Sequence, residues 1–394
     1  VSGHTRFDLI ILGAGPAGSA AAHVAARTGL RVALVDRRAF PQDKLCGGGI
    51  TGRAMTVHER VFGTLPPPDL FTTKPDFAFY AHGHPLWAVQ DAPPMHMTMR
   101  TGWDAALLGC ALSAGARDYT GHRVAAIDTG GPAVPVQVTL ESGPTLTAPA
   151  LIGADGVNSI VARALFGRAW EEDQIGFGLE VEAPPIDPDA PVRIDFGAAA
   201  WGYGWQFPKP GSTTIGVGGL VARNPAMKAT MAAYMDALGV DPDRVKVKGH
   251  HLPFGRFRRV PGKGAVLLAG DAAGLVDPIT GEGIAHAMQS GALAAEATVA
   301  ALAEGAPDTS LARYAKALRP IHRSLAQARA IRPIMFSPAL RKLFLKGFAG
   351  SRRMRHDYLR MMAGEAEYDD LIRQLILRSP RYAGRALRGA FSGG

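Results

Sequence analysis

The stretch that most limits the possible folds is Phe7-Asp-Leu-Ile-Ile-Leu-Gly13-Ala-Gly15-Pro-Ala17-Gly18. Leu9 to Leu12 is an apolar run of buried-strand length, and the Ala-rich residues after Gly18 favour a helix. The order is therefore strand, tight turn, helix. Gly13 permits the turn, Gly15 lets the backbone approach a pyrophosphate, and Gly18 lets the helix lie close to the strand. A second apolar run, Val32 to Val35, ends in Asp36, an acid placed to bond a ribose hydroxyl. These features predict a Rossmann-like α/β unit for an ADP-containing dinucleotide, with Gly13, Gly15, Ala17, Gly18, Asp36 and the adjoining Arg37 as contacts. The motif does not distinguish FAD from a nicotinamide.

A chain of 394 residues exceeds one ordinary core, so two closely packed domains are expected. No window reaches the roughly eighteen consecutive apolar residues of a membrane span. The most apolar helical stretch, Gly283 to Ala303, is interrupted by His286, Gln289 and Glu296 and reads as a buried helix. The leading residues lack the basic-then-apolar plan of a secretory leader, and Cys46 and Cys110 make no disulfide framework. A cytoplasmic protein is the expectation. The net charge of +9 is uneven, with 18 Lys and Arg against 5 acids over residues 312–394 and 25 against 29 elsewhere. Such a basic tail is a set of solvated helix faces, a surface for anionic lipid at the inner membrane face, or a dock for an acidic protein. No nucleic-acid-binding module accompanies it, so nucleic acid is not expected as a partner. No metal site is expected.

Further along, Lys44-Leu-Cys46-Gly47-Gly48-Gly49 favours neither helix nor strand, and lets backbone lie flat against a ligand. A helix is predicted from Ala105 to Gly115, and a hairpin around Ser142-Gly143-Pro144. Strands are predicted at Phe177 to Val181, Val192 to Phe196, Tyr203 to Phe207 and Thr213 to Gly219, with a helix at Ala226 to Leu238 between the last of them and a buried strand ending in Gly270-Asp271. After Leu311 the pattern is helices broken at Pro320, Pro333, Pro338 and Pro380. The expected fold is mixed α/β: a three-layer FAD-binding domain from 1–75, 97–173 and 255–305, an inserted mostly antiparallel sheet domain from 76–96 and 174–254, and a basic helical region over 306–394.

Gly13 to Gly18, Gly153-Ala-Asp155-Gly156 and Gly270-Asp271-Ala-Ala occur in the order and spacing of the FAD-dependent aromatic hydroxylase superfamily, which the chain resembles up to about residue 305. Within it, three segments resemble the geranylgeranyl reductase family. They are the Cys46 glycine segment, Tyr203-Gly-Trp205-Gln-Phe207-Pro208, and Gly270-Asp-Ala-Ala-Gly274-Leu-Val-Asp-Pro278-Ile-Thr-Gly281-Glu-Gly283-Ile284. Hydroxylases usually carry a His and an Asn where this chain has Gly274 and Ile284. The resemblance implies FAD, with Lys44, Cys46, Gly47, Gly48, Arg100, Asp155, Gly156, Gly270, Asp271, Pro278, Gly281, Gly283 and Ile284 among its contacts, and NADPH or reduced ferredoxin as the electron donor.

The implied reaction saturates C=C bonds of a geranylgeranyl or other polyprenyl chain on a pigment, lipid, quinone or diphosphate. Isolated alkenes have no carbonyl to accept hydride, so a proton must be supplied at one carbon as hydride reaches the other. Cys46 and Tyr203 are the candidate catalytic groups, and a bound water is the other possible source of the proton. Trp205 and Phe207 share a strand face with Tyr203 and are expected to line a pocket for the apolar chain. The alternatives are an FAD-dependent monooxygenase acting on an aromatic or prenylated ring, and a non-catalytic lipid-binding flavoprotein. The mixed apolar and basic helical stretches Ile331 to Phe336 and Ala339 to Lys346 suggest peripheral attachment to an anionic bilayer, or packing against the body of the protein.

Overall fold

In a computed structural model describing residues 4–131, 134–254 and 256–373, the strand Leu9–Leu12 lies in the middle of a six-stranded sheet. The order is Gly262–Lys263, Val266–Leu268, Leu151–Gly153, Leu9–Leu12, Val32–Asp36, Arg117–Thr120, parallel except at the first strand. Leu9, Ile10 and Ile11 have no exposed surface, as parallel strands covered on both faces require. The helices Pro16–Ala26, Arg100–Ser113 and Ile284–Ala303 pack together on this domain. A smaller sheet of His4–Arg6, Thr145–Ala148, Val136–Leu140 and Val124–Asp128 adds Val138 and Leu146 to the same core and completes three layers. Strand pairing thus brings the three glycine-and-acid segments, far apart in the chain, to the ends of adjacent strands. The central helix begins at Arg100, five residues before the predicted Ala105, which puts Arg100 and Asp104 one turn apart on it.

The second sheet has seven strands in the order Lys248–Leu252, Gly176–Ala183, Ser212–Leu220, Tyr203–Lys209, Val192–Phe196, Phe77–Ala81, His84–Val89. All neighbours are antiparallel except Val192–Phe196 with Phe77–Ala81. Side chains alternate across it. Leu179, Val181, Ile215 and Val217 face the helix Met227–Ala237, while Phe77, Phe79, Ile194 and Phe196 face the opposite way. A separate short sheet has the order Gly49–Ile50, Met95–Met97, Thr72–Lys74.

The tail helices Arg319–Phe336, Pro338–Gly350 and Arg352–Ala363 cover the second face of the large antiparallel sheet. Phe344, Phe348 and Tyr358 meet Phe79 and Phe196 in edge-to-face pairs with centroids 4.9–5.9 Å apart. Pro333 does not end its helix as predicted. It lies in the last turn, where little of the hydrogen-bond ladder depends on it, and the chain stays helical to Phe336. Pro320 and Pro338 open helices, where a missing N–H costs nothing. Pro380 lies outside the described residues. Two tail cations are interior: Arg355 bonds the Phe348 and Ala349 carbonyls, and Arg332 lies among the rings of Trp201, Phe254 and Phe336. Burial lowers the Arg332 guanidinium to about 10. Leu343, Leu340 and Ile334 are exposed. Among the described residues no helix is long and apolar enough to cross a membrane.

Candidate functional site

A cavity with about 1540 Å³ of unfilled space, counted out to its open mouth, separates the two large sheets. One end is built from backbone. Gly13 holds φ +97°, and a Cβ on Gly18 would collide with the Gly13 carbonyl, so both positions require glycine. Beside Gly15 there is room: a Cβ there would meet only the Lys44 Nζ, 4.0 Å away. The helices Pro16–Ala26 and Ile284–Ala303 both start at this end, with Gly15 and Gly283 as N-caps and no side chain capping either. Their free N–H groups and positive dipole ends make this the anion-binding end. Pro16, Lys44, Asp271, Gly283 and Ile284 line the cavity here, so two amide-rich helix ends, a cation and a hydroxyl-binding acid converge. That donor set fits the pyrophosphate and polyol chain of FAD.

The opposite wall is the second sheet. Cross-strand register aligns Glu180 with Gly216, Gly216 with Trp205, and Trp205 with Ile194, all on one face. A Cβ on Gly216 would strike the Trp205 ring, so this glycine lets the indole lie flat on the sheet. Phe207 reaches across the cavity to the Cys46 segment, its ring 2.9 Å from where a Gly47 Cβ would stand. Phe336, Tyr358 and Met362 of the tail helices add apolar lining.

Polar groups are concentrated at the junction. Arg100 makes a two-pronged bond to Asp104, 2.7 Å on each arm, with both side chains buried, and the Cys46 side chain is close enough to act on its guanidinium. Burial alone would lower the Arg100 pKa, but Asp104 and Cys46 outweigh it and the pKa is raised. The Cys46 amide donates to the Glu180 carboxylate at 2.7 Å, and the Gly48 amide points at the Cys46 thiol at 3.5 Å. Burial lifts Glu180 to about 7, against the pull of Lys209. The Tyr203 hydroxyl donates to the Thr280 carbonyl at 2.7 Å, tying the aromatic strand to the 277–284 loop. Burial, then the Asp277 charge, raises its pKa. That loop is fastened from behind. Asp277 accepts from the Ile279 and Thr280 amides and from the Tyr368 hydroxyl at 2.8 Å, while Glu282 bonds Thr51 and pairs with Arg53 at 3.3 Å. Burial raises Glu282 to about 7 despite Arg53.

The cavity wall thus gathers Lys44, Cys46, Gly47, Gly48, Arg100, Tyr203, Trp205, Phe207, Asp271, Pro278, Gly281, Gly283 and Ile284. Gly13, Ala17, Gly18 and Gly270 lie behind it as packing and turn positions, with a Cβ on Gly270 3.1 Å from Ala17, while Gly15 is the N-cap of the first helix with open space beside it. Asp36 accepts from the Ala14 and Arg38 amides, both at 2.9 Å, and so also braces the turn; Arg37 beside it is exposed. Asp155 is not on the wall. Its carboxylate accepts from Ser159 Oγ and the Ile160 amide, both at 2.6 Å, at the start of the helix Ile160–Phe166, and its neighbour Gly156 holds the turn at φ +77°. Sequence reasoning missed Glu180, His250 and the bracing role of Glu282. The Glu-x-Glu alternation at Glu180 and Glu182 was the available signal, but in an antiparallel strand it reads equally well as a solvent face.

The sequence matches the FAD binding domain family over residues 6–191 and 254–329. It is 33% identical over 316 residues to the menaquinone reductase of Mycolicibacterium smegmatis, covering 74% of this chain and 76% of that protein. It is 32% identical over 329 residues to the geranylgeranyl diphosphate reductase of Rhodobacter capsulatus, covering 78% and 79%. A geranylgeranyl bacteriochlorophyll reductase-like protein from Thermoplasma acidophilum has the same fold, with TM-score 0.78 and 21% identity over 95% of this chain and 99% of that one.

Proposed function

Because the chain belongs to the geranylgeranyl reductase family of FAD-dependent oxidoreductases, we propose that it saturates C=C bonds in the polyprenyl chain of a lipid, quinone, pigment or diphosphate. The observation that carries this reading is the cavity's polarity. It has an anion-binding end at two helix N-termini and an apolar aromatic wall of Trp205, Phe207, Phe336 and Tyr358 opposite. When bound, FAD supplies hydride and its electron pair. The helix ends, Lys44, Arg100 and Asp271 would hold it, and Asp36 would meet its adenosine ribose. Trp205 and Phe207 would orient the alkene over the flavin, where reacting heavy atoms need an approach of about 3.5 Å, and exclude water. Cys46 borders the reacting face. Tyr203, with its hydroxyl committed to the Thr280 carbonyl and its pKa raised, orients the loop more than it donates a proton.

The test is a single turnover with dithionite-reduced holoenzyme on menaquinone, geranylgeranyl diphosphate and a digeranylgeranyl lipid, followed by mass spectrometry. Gain of two hydrogens without oxygen is the expected result. An oxygenated product formed only in air identifies a monooxygenase, and no product from any prenyl compound overturns reduction. The proposed electron donor is NADPH or a reduced ferredoxin. A polar cleft beside Asp271 carries Arg256, Arg258, Arg259 and Arg329, charges that suit the phosphates of a nicotinamide dinucleotide. Rapid flavin bleaching by NADPH alone, slowed in Arg256→Ala, supports that donor. Peripheral attachment to an anionic bilayer rests on exposed Leu343, Leu340 and Ile334 beside Arg341, Lys342 and Lys346. Vesicle co-sedimentation unchanged by Leu343→Asp excludes that surface.

A further inference from the structure

We propose that Glu180, acting through its Oε2, is the proton donor for the reduction, an inference that rests on the prenyl-reductase reading above. Three observations place it there. The strand Gly176–Ala183 turns Phe177, Leu179 and Val181 toward the helix Met227–Ala237, so its other face, Gly178, Glu180 and Glu182, looks away from that helix. Glu180 is 5% exposed and stands on the cavity wall with Cys46 and Trp205. Its two oxygens are unequal. Oε1 accepts the Cys46 amide at 2.7 Å, whereas Oε2 is buried with no hydrogen-bond partner among the described residues. A buried, unpartnered carboxylate oxygen is costly, and a protonated one far less so.

The surroundings move the titration of the carboxyl up to the neutral range, where the protonated form is well populated. Burial raises its pKa to about 7, against Lys209 and the Cys46 amide, with Glu182 raising and the more distant Lys248 lowering it. Neither cation reaches Oε2. Lys209 is paired with Glu182 at 3.2 Å, and Lys248 with Asp43. Cys46 and His250 also line the cavity, the latter lowered by burial, as do Lys44, Arg100, Tyr203 and Asp271. An acid near neutrality is matched to proton transfer at working pH, as neither an ordinary glutamate nor the Tyr203 hydroxyl is.

One alkene carbon takes hydride, with both electrons of its bond, from the reduced flavin. At the other carbon the alkene π pair forms a C–H bond as the Oε2–H bond breaks, leaving a Glu180 carboxylate that takes a proton back from solvent. The Cys46 amide, already on Oε1, stabilises the anion as it forms. Glu180 therefore links the Cys46 segment to the substrate wall, and the proton is delivered from the sheet side of the cavity.

Glu180→Gln keeps shape and the acceptor for the Cys46 amide while removing the proton. With reduced holoenzyme and geranylgeraniol, its single-turnover rate is expected to fall at least about 100-fold, with flavin content and spectrum unchanged. Glu180→Asp is expected to retain part of the rate with a shifted pH profile. Independently of turnover, infrared difference spectra of oxidised holoenzyme, wild type against Glu180→Gln, should contain a protonated carboxyl band that titrates near neutrality and is missing in the variant. Wild-type rate and pH profile in Glu180→Gln, or no such band, overturns the proposal. If the wild-type enzyme reduces no prenyl alkene, the reduction reading falls, while the infrared titration still decides whether Glu180 is held neutral.

Discussion

The two ends of the cavity are built by different means. The cofactor end consists of backbone: glycines that permit a turn or close approach, uncapped helix N-termini, and acids that brace amides. The substrate end consists of side chains on a sheet face, closed by helices from the far end of the chain. Backbone requirements leave a short, ordered signature in the sequence, because only glycine satisfies them. A sheet face leaves only a period of two, which does not say what it faces. At Gly13 and Gly18 the cofactor end therefore tolerates no added atoms, whereas the substrate end tolerates changes that preserve volume and a few hydrogen bonds.

The contrast can be broken most severely at the cofactor end. Gly18→Val places a side chain on the Gly13 carbonyl, and we expect no flavin-bearing protein to survive gel filtration, read as the flavin-to-protein absorbance ratio. Next is the junction. Asp104→Leu leaves the Arg100 guanidinium buried without its partner and should lower unfolding free energy by about 3–5 kcal/mol. The double variant Arg100→Leu with Asp104→Leu should recover much of this in denaturant titration. A double variant no more stable than the single one would mean that the pair matters for shape and not charge.

The loop brace gives a smaller, pH-dependent effect. Glu282 has a raised pKa in the folded protein, about 7 against 4.5 when unfolded, so the folded state binds the extra proton. Its contribution is fully present below about 4.5 and is lost as pH rises through about 7. The groups facing it are Arg53, Thr51, Asp277, Glu367 and His286. Glu282→Gln should flatten the fall in melting temperature between pH 5 and 8, a slope of at most about 1.4 kcal/mol per pH unit. An unchanged slope assigns the pH dependence elsewhere. The smallest effect belongs to the substrate end, where Tyr203→Phe removes one bond to the Thr280 carbonyl. It should cost about 1 kcal/mol and weaken flavin retention a few-fold, without abolishing turnover.

The same division explains what was readable beforehand. Gly13, Gly15, Gly18, Gly270 and Asp271 announce themselves because a turn, a helix start and a strand end must follow one another within a few residues. Tyr203, Trp205 and Phe207 could be put on one face by counting, and Val192–Phe196 has the predicted bounds. Asp155 reads as a cofactor contact by motif, yet its oxygens are spent on Ser159 and a helix start. Arg332 and Arg355 read as part of a basic surface, but their helices turn them inward. Glu180 is absent from any motif.

By itself the sequence determined the three-layer dinucleotide domain, the order of its three glycine segments and the strand character of the inserted sheet, because these follow from local steric and periodic constraints. Only the tertiary structure decided that the tail helices cover the sheet, that the 277–284 loop is held from Tyr368 and Arg53, and that the Glu180 face looks into a cavity rather than into water. Those outcomes depend on which surfaces exclude solvent from one another. Burial, and with it the protonation state of a carboxyl group, is set by neighbours far away in the chain.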